Sequence, residues 1–203
     1  KDTYYSEKYF EFLYGEKGEK EIAAGTVKTK IYDSFIIADI INASYESNST
    51  DAAKTALKTY LEGYVTALKN GSKNFAEVYK DYNGSDNTTS SAEGPKDKYA
   101  TILGDENTAY ANDNYKTIKA LAVGEVKLIE LEDKTGFVLA VKQDITADDY
   151  YLKNLDMTAR HLIADEEYKK LIEDYAKKLE PEINKYAVNQ FKIKNIEEPS
   201  YNY

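Results

Sequence analysis

This 203-residue chain offers few types of residue for nucleophilic or acid–base chemistry. It has one histidine, His161, and no cysteine. The lack of cysteine excludes a thiolate nucleophile and thiolate-ligated zinc or iron–sulfur centres, and a single histidine excludes a two-histidine zinc site. His161 falls beside the apolar stripe of a predicted helix, so we interpret it as a surface histidine. Because no glycine cluster forms a phosphate-binding loop either, the sequence predicts no metal, no cofactor and no identifiable catalytic residue.

Paired carboxylates are the other group with catalytic potential. Close acidic pairs occur at Asp148 and Asp149, at Glu166 and Glu167, and at Glu130 and Glu132. A glycosidase needs two carboxyl groups at a set separation. Since the chain holds 36 Asp and Glu residues, such pairs arise by chance, and we interpret them as surface charge.

Composition and charge exclude further classes of protein. The formal net charge of −9 opposes binding to the phosphate backbone of nucleic acid. The longest apolar run, residues 35–38, is far too short to span a bilayer. Val, Leu, Ile and Phe supply only 43 residues, so a packed interior must include many of the 20 tyrosines. The chain begins at Lys1 without a signal peptide, which we interpret as a mature or trimmed fragment.

The elements that would position these residues follow from periodicity and turn signals. Aromatic-rich residues 8–14 are predicted to form a strand. Apolar residues recur at three- and four-residue steps over 27–45, which predicts a helix. A capped helix at 51–70 should end at Gly71, and a shorter helix should follow at 74–82.

The rest of the chain reads as a mixture of short strands and helices, which gives an α+β fold class. The predicted elements are an exposed loop at 83–95, a strand at 99–103, a helix at 114–123, a hairpin of 126–131 with 137–141, and helices at 148–164, 165–179 and 182–191.

Three stretches carry a family resemblance by their order and spacing. Residues 68–82 (LKNGSKNFAEVYKDY) are similar to a helix, an Asn/Asp-Gly turn and a Phe-Ala-x-Val/Leu helix. Residues 121–126 (LAVGEV) are similar to the start of a closing hairpin. Residues 136–142 (GFVLAVK) are similar to a closing strand. Together they resemble the parvulin-type peptidyl-prolyl isomerase domain of extracytoplasmic foldases, the PrsA-like lipoproteins and SurA-like chaperones. The resemblance takes residues 8–14 as the opening strand.

This resemblance implies a domain plan. Residues 1–145 would form a divergent parvulin-like domain, a small antiparallel sheet flanked by helices, with a helical insertion at about 16–48. Residues 146–196 would be the helical segment that follows such domains in foldases, and 197–203 a tail.

The resemblance also implies a site, from which the family's two histidines are missing. The opening strand offers residues 9–12, and the closing position holds Val138. An apolar cleft on the sheet could still hold a proline ring. Its candidate substrate-binding residues are Phe10, Phe12, Tyr115, Phe137 and Val138, although aromatic residues at such spacing are more often core.

We therefore expect an extracytoplasmic, foldase-like chaperone that binds unfolded or proline-containing client polypeptides and is a weak or inactive prolyl isomerase. It would bind no nucleic acid, and would meet a membrane only through a lipid anchor upstream of Lys1. An apolar strip around Leu171, Ile172 and Tyr175 could support a homodimer. The alternatives are an active isomerase that uses other residues, and a surface adhesion or carbohydrate-binding module suggested by the tyrosine count.

Overall fold

The structure, a computed structural model, describes residues 2–46, 48–85 and 95–178. Within them the fold is α+β, as the sequence predicts: a four-stranded antiparallel sheet with flanking helices and a long C-terminal helix. The elements in chain order are α1 (Asp2–Tyr14), α2 (Ala24–Ser34), β1 (Phe35–Ser44), α3 (Asp51–Lys69), α4 (Phe75–Asn83), β2 (Ala100–Gly104), α5 (Tyr115–Lys119), β3 (Val126–Glu130), β4 (Gly136–Gln143) and α6 (Asp149–Lys178).

The sheet has the strand order β2-β1-β4-β3, so β1 and β4 are its two central strands. They pair antiparallel from Ile37 opposite Gln143 to Ser44 opposite Gly136. The predicted hairpin is confirmed, because β3 pairs antiparallel with β4. Gly136 begins β4 where a Cβ atom would overlap the carbonyl oxygen of Ala43, so the close approach of the two strands requires glycine.

Local signals set the two helices between β1 and β2, and both predictions are confirmed. The Thr50 hydroxyl caps α3 by accepting from the Ala53 backbone N–H. Gly71 follows the helix with a φ of 72°, in the left-handed region that favours glycine. Asn74 and Glu77 then form a reciprocal capping box at the start of α4.

The two faces of the sheet are buried against different helices. On the first face, Ile41 and Leu139 belong to a cluster with Leu61 of α3 and Val78 of α4. On the second face, which we call the α5 face, the cluster consists of Ile36, Ala38, Leu103, Tyr115, Ile118, Leu121, Val138 and Ala140. A third cluster joins Val27 and Ile31 of α2 to Leu155 and Ala159 of α6. Burial on both faces explains why β1 and β4 are apolar along most of their length.

The prediction of a strand at residues 8–14 is wrong, because these residues form the end of α1. Phe10, Leu13 and Tyr14 are buried, and their spacing of three and four residues is the helical period. Aromatic content alone favoured a strand, and the period of burial overrides it. Residues 9–12 therefore do not lie beside β4, whose partners are β1 and β3.

The prediction of one helix over residues 27–45 is half wrong. Residues Ala24–Ser34 are helical, but Phe35–Ser44 is the central strand β1, so the predicted helical insertion at 16–48 contains a strand. Since both faces of β1 are buried at residues 35–39, this half of the strand shows no alternation that would distinguish it from a helix. Its β-branched isoleucines are the sequence feature that fits the strand.

The predicted helices at 148–164 and 165–179 are one helix, α6. The chain divides into two compact units, residues 1–164 and 165–203, and the second is described as far as Lys178. In that unit Ile172 and Tyr175 are 41% and 56% exposed. The predicted helix at 182–191 and the tail lie outside the described residues, as does most of the loop at 83–95. Within the described residues, no helix has the length and apolar character to cross a membrane.

Candidate functional site

The five predicted substrate-binding residues are divided among three places. Tyr115 and Val138 belong to the buried cluster on the α5 face. Phe137 belongs to the cluster on the opposite face, where its ring meets Tyr45 edge to face. Phe10 is buried on α1, and Phe12 is 58% exposed on the same helix. The sheet therefore brings together only two of the five.

Val138 occupies an apolar stretch of the α5 face. Asn42 on β1 and Ile129 on β3 lie directly opposite it in the two strand pairings. The chain's single histidine is elsewhere: the His161 ring stacks on Phe10 with centroids 3.7 Å apart, and its Nε2 lies 3.0 Å from Glu7 Oε2. Its side chain is 25% exposed, so the expectation of a solvated histidine is corrected by the stacking contact. No imidazole is available at the closing position.

Two groups of hydrogen bonds hold helix α5, one to strand β4 and one to the end of α2. The Lys142 ammonium on β4 donates to the carbonyls of Lys119 and Leu121, both at 2.6 Å, at the C-terminal end of α5. The Tyr115 hydroxyl donates to the carbonyl of Asp33 at 2.9 Å and accepts from the Lys119 ammonium at 2.9 Å. A cation at the C-terminal carbonyls of a helix also complements its dipole. These contacts fix a helix of only five residues.

An acidic cleft opens beside the first turn of α5. It has a volume of about 250 Å³ and is lined by Glu106, Ala111, Asn112, Asp113, Tyr115, Lys116 and Glu132. Three carboxylates thus face one ammonium, and all four charged side chains are exposed. Because like charges lie together in a concavity, the cleft favours a cationic ligand. We call this feature the acidic cleft.

The loop that forms one wall of the acidic cleft is fixed to the end of β2. The Gly104 N–H donates to the Tyr110 carbonyl at 2.7 Å, and the Asn107 N–H donates to Asp105 Oδ1 at 3.0 Å. Gly104 is required here, because a Cβ atom would overlap the Thr108 side chain. The cleft wall is therefore set before any ligand binds.

A buried carboxyl group, Asp39 in the middle of β1, was not singled out by the sequence analysis. It is 2% exposed, and its Oδ2 accepts a 2.6 Å hydrogen bond from Gln143 Nε2. Within the described part of the chain no N–H group or hydroxyl donates to its Oδ1, but a side-chain hydrogen bond links the carboxyl groups of Asp39 and Asp97. Burial, and next the charge of Asp97, raise the pKa of Asp39 from 3.8 to about 7. The available signal was an acid interrupting the apolar residues 35–41.

Tyr151, on the first turn of α6, is buried near Asp39. It is 2% exposed, and its hydroxyl has no partner among the described residues. Burial, and next the charges of Asp97, Asp148 and Asp39, raise the pKa of Tyr151 to about 12. The hydroxyl is therefore neutral at physiological pH and can donate or accept a hydrogen bond.

Tyr151 also lines a second concavity, which we call the Tyr151 cavity. Its volume is about 200 Å³, and its walls are Ile37, Lys96, Asp97, Val123, Gln143, Asp144, Ala147, Asp148 and Tyr151. It shares no lining residue with the acidic cleft. Over the described residues, no group of three or more metal-binding side chains is arranged to hold an ion.

No protein-family model, curated protein or solved structure matches this chain.

Proposed function

We propose that this protein is an extracytoplasmic, foldase-like chaperone that binds extended, basic segments of unfolded or proline-containing client polypeptides, with weak or no prolyl isomerase activity. The acidic cleft is the observation that carries the proposal. It is concave, solvent-accessible and lined by three carboxylates against one ammonium. The net charge of −9 adds a long-range attraction for basic segments.

The resemblance to parvulin-type domains supports this function through its three stretches. Residues 68–82 span the end of α3, the Gly71 turn and α4, residues 121–126 run from the end of α5 to β3, and residues 136–142 lie in β4. Each adopts the kind of element that the resemblance implies. The opening strand is not among the supporting stretches, because residues 8–14 are helical and β1 is the strand that pairs with β4. Tyr115 of the cleft wall packs in the α5-face cluster that also holds Val138.

Weak or absent isomerase activity follows from the side chains at the closing position. Prolyl isomerisation has an uncatalysed barrier of about 18–20 kcal/mol, and an enzyme lowers it by orienting and desolvating the twisted amide. The resemblance puts Val138 at the closing position, where the family usually supplies an imidazole, and Asn42 lies opposite Val138 on β1. An apolar surface can hold a proline ring, but it offers no ionisable group to orient the amide.

The test compares the affinity of the chain and of a cleft variant for a fluorescent Lys-rich peptide. Replacing Glu106 and Glu132 by Gln and Asp113 by Asn removes the cleft carboxylates and should weaken binding at least tenfold at low salt. The matched control, in which the exposed Glu19, Glu21 and Glu62 become Gln, makes the same change in net charge and should weaken binding less than threefold. Equal loss in both variants would mean that the overall charge binds the peptide and would overturn the cleft assignment.

The carbohydrate-binding alternative has one supporting observation, an exposed aromatic row on α1. Tyr5, Tyr9 and Phe12 follow one another at steps of four and three residues and are exposed. The Tyr9 and Phe12 rings stack with centroids 6.3 Å apart. If sugars bind here, tyrosine fluorescence should change saturably with a soluble β-glucan, and Tyr9→Ala should abolish the change. The chaperone proposal expects no such change.

The proposed homodimer would use the second unit. Its exposed Ile172 and Tyr175, one turn apart, form an apolar strip. Light scattering coupled to size-exclusion chromatography tests this proposal, because Ile172→Glu should convert a dimer into a monomer. A wild-type monomer at 100 µM would rule the dimer out.

A further inference from the structure

The two edge strands of the sheet differ in how their outward backbone groups are used. Within the described residues the edges are β2, which pairs only with β1, and β3, which pairs only with β4. Along an antiparallel strand, residues bonded to the neighbouring strand alternate with residues whose N–H and C=O groups turn away from it. An outward row of such groups can pair with another extended chain.

The register of the hairpin shows which groups of β3 turn outward. Just beyond the strand, the Leu131 N–H donates to the Gly136 carbonyl at 3.0 Å, so the odd-numbered residues of β3 bond to β4. Val126, Leu128 and Glu130 therefore turn their N–H and C=O groups to the free edge. Within the described part of the chain, these groups have no hydrogen-bond partner.

The outward edge of β2, in contrast, is partly closed by the chain itself. The Gly104 N–H donates to the Tyr110 carbonyl at 2.7 Å. The Ala100 N–H donates to the Asp97 carbonyl at 3.3 Å. Both N–H groups lie on the side of β2 that faces away from β1. Of the two edges in the described residues, β3 is therefore the one that is open to a partner along its whole length.

We propose that β3 is the docking edge for the client polypeptide, which adds to the sheet as an antiparallel strand beside Val126–Glu130. The identity of the partner rests on the proposed function, and the backbone pairing is the new element. A strand added in this way gains affinity from main-chain hydrogen bonds and specificity from its alternate side chains. The N–H and C=O groups of Val126, Leu128 and Glu130 supply those bonds.

The side chains of β3 select the client sequence. Leu128 packs against the cluster on the first face of the sheet, and Ile129 packs against the cluster on the α5 face. Both are half-buried, so an apolar client residue opposite either of them extends that face. Glu130 is exposed and favours a basic residue directly opposite it.

The antiparallel orientation joins this edge to the acidic cleft. Client residues that precede the paired stretch lie at the C-terminal end of β3, and Glu132, just beyond that end, lines the cleft. Basic residues at the start of a client segment therefore meet Glu130 and the cleft, while the residues that follow pair with β3. The expected client segment is a pair of basic residues followed by a short β-prone run.

The experiment follows amide hydrogen exchange of the full chain by NMR, with and without the peptide acetyl-KKVVTV-amide. In the free chain the amides of Leu128 and Glu130 should exchange fast, and those of Lys127 and Ile129, which bond to β4, should exchange slowly. Saturating peptide should slow exchange at Leu128 and Glu130 at least tenfold and leave the other two within twofold.

Backbone N-methylation of the peptide tests the predicted alternation. In the proposed register the second valine lies opposite Leu128 and bonds to it, whereas the N–H of the first valine, opposite Ile129, faces away from β3. N-methylation of the second valine should weaken binding at least tenfold, and N-methylation of the first should weaken it less than threefold. Equal losses would overturn the docking edge.

A substitution at the edge gives a second reading. Glu130→Pro removes one outward N–H without breaking the bonds between β3 and β4, since proline is tolerated where the N–H faces solvent. It should weaken peptide binding at least fivefold more than Glu130→Gln, the matched control that removes only the charge. The N-methylated peptides act on the unaltered chain, so they decide the matter if Glu130→Pro does not fold.

Failure of the edge and failure of the cleft give different results. Peptide binding that needs the cleft carboxylates but leaves exchange at Leu128 and Glu130 unchanged would overturn the docking edge and leave the proposed function in place. Slower exchange at these two amides in the cleft variant, with no loss of affinity, would support the edge and overturn the cleft assignment. Slow exchange there without peptide would show an edge already paired, by this chain or by a second copy, and would overturn the proposal.

Discussion

Asn42 on β1 lies directly opposite Val138 on β4, in the centre of the sheet. The resemblance to parvulin-type domains leads one to expect an imidazole at the position of Val138. The amide of Asn42 is exposed and Val138 is buried, so neither supplies an acid or base to a bound peptide.

The pair predicts a negligible isomerase rate. At 10 µM the chain should accelerate cis–trans exchange of an Ala-Pro peptide less than twofold, because no ionisable group orients the amide. Exchange spectroscopy by NMR measures the rate. A large acceleration that Asn42→Ala removes would show that the sheet position is catalytic after all.

Asp39 predicts an unusual pH dependence of stability. Its pKa is about 7 in the folded chain, above the usual 3.8, so folding favours the protonated form. The stabilisation is complete below about pH 4 and is lost as pH rises to about 7, for a total of roughly 4 kcal/mol. Asp39→Asn should therefore raise the free energy of unfolding at pH 8 more than at pH 4.

The difference between Asp39→Asn and the wild type isolates this group. Hydrogen bonds lower the pKa of Asp133, Asp144 and Asp148, so these residues stabilise the fold at neutral pH and lose that effect as pH falls. They are common to both chains and cancel in the comparison. Urea titrations at pH 4, 6 and 8 provide the measurement, and a difference that does not change with pH would refute the raised pKa.

Substitution of Lys142 should reduce the order of α5. Replacing it by Met leaves the carbonyls of Lys119 and Leu121 without their donor. The free energy of unfolding should fall by about 2 kcal/mol, with faster hydrogen exchange in residues 118–121. The exposed Lys127→Met on β3 is the matched control and should change stability by less than about 0.5 kcal/mol. Equal effects of the two variants would mean that Lys142 does not hold the helix.

The stability of α1 should depend on Arg160 of α6. The buried guanidinium donates to the carbonyls of Tyr14 and Ile22 at 2.7 and 3.0 Å and to Asp156 Oδ2 at 2.7 Å. Arg160→Met should cost about 3 kcal/mol, because the two carbonyls lose a charged donor. Lys153→Met, an exposed change on the same helix, serves as the comparison. Thermal unfolding that shifts equally in both variants would contradict this role.

Elements with local signals could be predicted from the sequence, and elements defined by tertiary burial could not. Thr50 and the pair Asn74 and Glu77 cap their helices through neighbours in sequence, so α3 and α4 were predicted nearly to their ends. Residues 35–39 of β1 show no alternation because both faces of the strand are buried there. Residues 8–14 were misread because Phe10 and Tyr14 have strand propensity but helical spacing.

The candidate site was less predictable than the fold. Tyr115 was singled out, but Glu106 and Glu132, which lie on either side of it in sequence, join the same cleft only after the sheet forms. Nothing local to either residue signals that proximity. Asp39 carried a local signal, an acid in an apolar run, but its partner Gln143 lies on another strand.

Locating a bound client segment on the chain would test whether the acidic cleft is the binding site. A Lys-rich peptide carrying a photoreactive benzophenone group would be crosslinked to the full chain, and the crosslinked residues would be mapped by mass spectrometry. We expect crosslinks concentrated at residues 106–116 and at Glu132, and their loss in the cleft variant. Crosslinks spread evenly over the acidic surface, or confined to the aromatic row of α1, would contradict the cleft assignment.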